Sequence, residues 1–337
     1  MEQTVGYGLD PHCDRARQLI REACECPEAD VHFLVGGTQT NATVITSVLR
    51  PYQCVVAAET GHINVHETGA IEHGGHKVLA LPTERGLLNA EQVREVLKAH
   101  FDDDSEPEHM VQPGMVYVSY SSEVGTLYTR QQLTDIAAVC HKYGIPLFVD
   151  GARLGYGLMS PESDLTLADL ARIADVFYIG GTKQGALFGE AVVITNPALK
   201  KDFRYHIKQG GGMLAKGRLL GIQFETLFEE RDVNGAMMKQ SIAESRFGRT
   251  LYAEIAQHAI DEAMRIKDVL TAKGYDFLME SPTNQQFPIV SAEQYDTLSK
   301  EFLVSLWQRM PDGRIAIRIC TSWATKSENV DKLIKVL

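Results

Sequence analysis

IPLFVDGARLGYG, Ile145 to Gly157, and ADVFYIGGTKQGALFGEAVV, Ala174 to Val193, decide how this chain folds. In the first, Ile145, Leu147, Phe148 and Val149 form a short apolar run that closes on Asp150. In the second, Val176 to Ile179 close on Gly180, Gly181, Thr182 and Lys183. Short apolar runs bounded by turn residues read as buried strands. In a parallel sheet the carboxyl ends of the strands face the ligand crevice, so Asp150 and Lys183 are expected at one rim, on neighbouring strands.

An acid and a primary amine at one rim suit pyridoxal phosphate. The lysine forms a Schiff base with its aldehyde, and the acid keeps the ring nitrogen protonated so that the ring accepts electrons from a carbanion. Taken singly, a lysine after a strand reads as a solvated cation and an aspartate there as a helix cap. The pair favours the cofactor because the flanking glycines let backbone approach a flat ligand.

Outward from this pair, strands alternate with helices. Val31 to Val35 reads as a strand running into GGTQTN, Gly36 to Asn41, with helical spacing resuming at Val44, Ile45, Val48 and Leu49. The unpaired N–H groups of that helix start suit a phosphate on Gly37, Thr38 and Gln39. Cys54 to Ala58, Lys77 to Leu81, Met115 to Tyr120 and Glu190 to Ile194 are further strands. Asp10 with Pro11, Asn89 with Gln92, and Thr129 with Gln132 are helix starts. The alternation predicts a doubly wound, mostly parallel sheet with right-handed crossovers. Leu219 to Lys273 has helical spacing and reads as a linker. Strands near Gln286 to Val290 and Arg314 to Cys320, with helices near Ala292 and Asn329, predict a small α+β domain.

VDGARL, GGTK and QGGGM (Gln209 to Met213) together resemble the low-specificity L-threonine aldolase and β-eliminating lyase family of fold-type-I pyridoxal phosphate enzymes. The resemblance runs from Tyr7 and Gly8 to RICT at Arg318 to Thr321. It implies an α/β, fold-type-I PLP-dependent transferase-like architecture, divided into a large cofactor domain over 1–215 and linker helices with a small domain over 216–337. It implies Lys183, His62 and Asp150 as catalytic residues, with Gly37, Thr38, Gln39 and Thr182 joining them around pyridoxal 5'-phosphate. His62 would stack on the ring and Glu67 would support it. Arg153 and Arg318 would bind the substrate carboxylate.

Glu123 in SSEV, Ser121 to Val124, stands where the aldolases carry a histidine-bearing segment. It reads as a contact to a hydroxyl or cofactor side group, or as a turn cap. In relatives an arginine after GGGM reaches the phosphate; here Lys216, Arg218 or Lys208 would substitute. His66, His73 and His76 match nothing in the family and read as structural or exposed. The family's further leading segment does not precede Met1, which implies a start shortened relative to its members.

The 337 residues, 44% hydrophobic, are enough for more than one core, since single cores stop growing near roughly 250–300 residues. A net charge of −11 with scattered basic residues leaves no footprint for nucleic-acid phosphates. The acidic run Phe101 to His109 reads as a solvated loop, and the six cysteines as reduced thiols. Cys24 and Cys26 lack a second nearby pair, so no metal is expected. No apolar run approaches the ~20 residues of a membrane span and no secretory leader is visible, so a soluble, cytoplasmic protein is expected. The resemblance adds a homodimer or homotetramer with active sites between subunits, acting on a small amino acid. It implies threonine-aldolase-like cleavage to glycine and an aldehyde. The alternatives are β-elimination or another reaction on the same frame, and a cofactor-free binding protein.

Overall fold

The computed structural model describes residues 2–230 and 250–337. Seven strands form one sheet in the order β1-β7-β6-β5-β4-β2-β3. They are β1 (Asp30–Leu34), β2 (Gln53–Ala58), β3 (Lys77–Leu81), β4 (Gln112–Ser119), β5 (Leu147–Asp150), β6 (Val176–Gly180) and β7 (Glu190–Ile194). Pairing is parallel from β3 through β2, β4 and β5 to β6, whereas β7 runs antiparallel to both β6 and β1. The sheet is thus mostly parallel, with one reversed strand.

Every residue of β5, β6 and β7 is buried, which is why these strands read as continuous apolar runs and not as alternating ones. Successive side chains feed two cores on opposite faces. Leu147 and Val149 join Leu133, Ile136 and Leu167 on one face. Phe148 and Tyr178 join Val44, Ile45 and Ile207 on the other. Helix starts follow from their caps: the Asp10 carboxylate accepts from Cys13 N at 3.0 Å, and Asn89/Gln92 and Thr129/Gln132 form reciprocal capping boxes.

Strand ends differ from the sequence expectation for local reasons. β1 stops at Leu34 because Val35 N donates to the Gln39 side chain, at 3.2 Å, and so leaves the ladder. β4 begins early, at Gln112, because Gln112 pairs with Gln53 across the sheet and accepts from its side-chain amide at 2.7 Å.

A second sheet lies towards the chain end, with β10 (Ser305–Arg309) beside β11 (Ile315–Cys320), and β11 flanked by β8 (Gln285–Gln286) and β9 (Ile289–Val290). β10 has no sequence signature because it is an edge strand whose residues are exposed except for Trp307. Helix Leu251–Ala272 joins the two parts. Ala256, Ala259 and Ile260 pack on Tyr156 near the large sheet, and Ile266 and Leu270 pack on Ile315 and Ile317 of the small one. Of the stretch expected to be helical, Arg218–Phe228 and Leu251–Ala272 are helices, and 231–249 lies outside the described residues. No helix among the described residues is long and apolar enough to cross a membrane.

Candidate active site

Asp150 ends β5 in register with Ser119 of β4, and its carboxylate is buried. One oxygen accepts from the Tyr178 hydroxyl at 2.5 Å and from Ala152 N at 2.9 Å. The other accepts from the Tyr117 hydroxyl at 2.6 Å and the Asn41 amide at 3.0 Å. Burial alone would raise its pKa, but the hydrogen bonds from Tyr117, Tyr178, Ala152 and Asn41 outweigh it and hold the carboxyl below its ordinary value. Asp150 is therefore a buried carboxyl held towards its ionised form. Its anchorage continues outward, because Asn41 also donates to Glu67 at 2.8 Å and Glu67 meets His62 Nδ1 at 2.9 Å.

Lys183 sits in the tight connection between β6 and β7. Gly181 N and Thr182 N both donate to Gly189 O at 3.1 Å, and the Tyr156 hydroxyl donates to the Lys183 carbonyl. Burial and then the nearby Arg153 cation lower the amine's pKa, with Asp150, Glu190 and Glu123 opposing. More of the amine is consequently neutral, as a nucleophilic lysine requires. The strand tips meet through glycines: a Cβ on Gly151 would lie 1.8 Å from Tyr178 O, and one on Gly180 would lie 2.5 Å from Ala152 O.

His62, Glu123, Arg153, Lys183 and Arg318 line one cleft of about 540 Å³, joined by His66 and by Ser305 to Trp307 of β10. Glu123 is buried and accepts from His62 N at 3.0 Å and Ser119 Oγ at 2.7 Å, and burial raises its pKa. It thus faces the cleft in addition to securing the loop. Thr38 and Gln39 line a second cleft of about 800 Å³, which Glu67 also borders. Gly37 lies against Tyr178, whose hydroxyl a Cβ there would meet at 3.2 Å. Thr182 is not among the residues lining either cleft; its hydroxyl accepts from Gly189 N at 3.0 Å.

His66 and His73, read as structural or exposed, are both exposed. His66 also lines the cleft, with its ring centroid 5.4 Å from that of His62, and His73 borders the second cleft. Of the cations near the glycine run, Lys208 Nζ sits 4.9 Å over Tyr7, Arg218 donates to the Glu2 carbonyl and Thr4, and Lys216 is exposed.

Several groups around Asp150 and Lys183 escaped the sequence reading. Tyr117 and Tyr178 read only as residues of buried strands, and Asn41 as the end of the GGTQTN turn. Glu190 read as a strand start; it is buried at the head of β7 and accepts from Gly181 N at 3.2 Å. Burial pushes its pKa up to about 8, against the lowering effects of Lys183 and Thr182. An acid opening an apolar run beside GGTK was the available signal.

The architecture is that of fold-type-I pyridoxal phosphate enzymes: aspartate aminotransferase from Thermus thermophilus matches 99% of this chain and 82% of its own with a TM-score of 0.66 at 15% identity, a likeness of fold alone. The beta-eliminating lyase family matches residues 1–287, and the chain belongs to that family. The structure of a threonine aldolase from Leishmania major matches 100% of this chain and 91% of its own, with a TM-score of 0.90 and 44% identity. A low specificity L-threonine aldolase of Pseudomonas sp. is 33% identical over 228 residues, 66% of this chain and 64% of that protein. The match with its Pseudomonas aeruginosa counterpart is 32% identical and spans 64% of this chain and 61% of that protein.

Proposed function

We propose that this chain is a lyase using pyridoxal 5'-phosphate to cleave a β-hydroxy-α-amino acid between Cα and Cβ, releasing glycine and an aldehyde. The observation that carries this reading is the meeting of an amine of lowered basicity, the Glu123 carboxyl and two arginines at one cleft, with the buried Asp150 carboxylate acting electrostatically on that amine. The names of the threonine aldolases it resembles support it.

The residues present fit the cofactor. Asp150 would face the ring nitrogen, Lys183 the aldehyde and His62 the ring face. Gly37, Thr38 and Gln39 at a helix start would take the phosphate, with Thr182 beside Lys183. When bound, the group draws electrons away from the carbon that loses its bond. The chain does the rest. Arg153 and Arg318 hold the substrate carboxylate, and Lys183 Nζ exchanges protons with the substrate's amino-bearing carbon. Glu123 and His62, whose loops are tied together at 3.0 Å, stand ready to take the β-hydroxyl proton. As that proton leaves, Cα–Cβ breaks with its electron pair on Cα, which is then reprotonated.

The large cofactor domain over 1–215, the small domain over 216–337 and a homo-oligomer with sites between subunits belong to the same proposal. A second reading, β-elimination, is favoured by the missing histidine near Val124, in the segment where the aldolases carry one. A substrate panel separates them: aldehyde from threonine or allo-threonine supports cleavage, and pyruvate with ammonia from serine supports elimination. Borohydride reduction of the loaded protein, followed by peptide mapping, is expected to find the label on Lys183; a label on another lysine overturns the assignment.

A further inference from the structure

Arg318 is a half-buried cation without an acid. Its Nε has no hydrogen-bond partner, and no ion pair to it exists among the described residues. A buried guanidinium ordinarily needs a carboxylate or several acceptors to offset its desolvation. Here its Cζ lies 5.1 Å from the centre of the Trp307 ring, a cation–π distance.

The indole is itself fixed. It meets the fully buried Phe287 edge-on, with centroids 5.1 Å apart and planes at 68°. On β10, Leu306 pairs with Ile317 and Gln308 with Ala316, so Trp307 is the extra residue of a β-bulge with no partner across the ladder. Bulges turn a side chain out of the strand's alternation and are frequent beside active sites. This one places the only half-buried side chain of an otherwise exposed strand in the cleft beside Arg318.

We propose that Trp307 is a positioning residue for Arg318, an uncharged seat that holds the guanidinium plane where an acidic partner would otherwise sit. An acid there would compete with the ligand's carboxylate for the same N–H groups. An aromatic face steadies the cation and leaves those donors open. The inference rests on the reading of Arg318 as the carboxylate-binding residue.

Two experiments on the full-length chain test it. With cofactor-loaded protein, Trp307→Leu is expected to raise KM for threonine about fivefold with kcat nearly constant, within the span of cation–π interactions. Trp307→Phe is expected to restore most of the loss. A fall confined to kcat, or failure of phenylalanine to rescue in a folded variant, overturns the proposal. The chain has two tryptophans, so Trp323→Phe makes Trp307 the sole indole. In that background glycine is expected to change its fluorescence saturably, ethanolamine is not, and Arg318→Met is expected to abolish the change. No response to glycine, or an equal response to ethanolamine, overturns the seat. If the parent protein cleaves no β-hydroxy-amino acid while the carboxylate-dependent signal persists, the proposed reaction fails and the seat stands.

Discussion

Glu190 and Lys183 face each other from the two sides of one tight turn, and each is displaced from its ordinary ionisation by burial. With a carboxyl titrating at about 8 when folded, Glu190 is protonated at neutral pH and would be ionised at that pH in the unfolded chain. The folded state then holds one more proton between the two values, so this group's stabilisation is full below about pH 4.3 and is lost as pH rises through about 8. Glu190→Gln keeps the neutral form at every pH. It is expected to flatten the pH dependence, so that the melting temperature of the wild type falls relative to the variant between pH 6 and 9 in thermal scans. Tyr178→Phe removes a donor from the Asp150 carboxylate. It is expected to cost about 1.5–3 kcal/mol in denaturant unfolding, since hydrogen bonds to charged groups lie in that range. Lys183→Arg is expected to reduce cleavage by roughly 10²–10⁴-fold in steady-state assays, the usual span for losing a proton-transferring side chain.

At the level of elements, the ends of β5 and β6 are brought together by glycines where any Cβ would collide with backbone. Gly151→Ala is expected to destabilise the fold by about 1–3 kcal/mol, as overpacking does, and to weaken cofactor retention by displacing Asp150; urea unfolding and a cofactor titration check the two effects. These same strands were the most legible part of the sequence. Buried on both faces, they show continuous apolar runs that end abruptly on Asp150 and on the residues leading to Lys183, so chemistry and periodicity coincide. β10 was illegible for the opposite reason: it is an exposed edge, and its one inward residue is aimed by a bulge that no alternation predicts. Tyr117, Tyr178 and Asn41 were missed because an aromatic in a strand and an amide at the end of a turn carry no mark of the carboxylate they bond.

Over the whole molecule, the cleft draws on both sheets, with Arg153 and Lys183 following strands of the first and Arg318 on β11 of the second. Arg318→Lys keeps the charge but loses the planar fork. It is expected to raise KM for the amino acid about 10-fold with a smaller change in kcat, measured by initial rates. Binding of the cofactor to the folded state alone is expected to stabilise the chain by about 2.7 kcal/mol at a concentration 100 times its Kd, readable as a concentration-dependent rise in melting temperature; no rise would argue against specific binding.

The reversed strand β7 also bears on how far the Lys183 amine can move. A connection crossing over to a distant parallel strand can swing as a flap, but the one carrying Lys183 returns at once along its own neighbour and is stitched shut by Gly189. Backbone hinging is denied to it. Whatever distance the amine would cover in the proposed reaction must come from rotation about the bonds of its own aliphatic arm, with the sheet as a stationary mount.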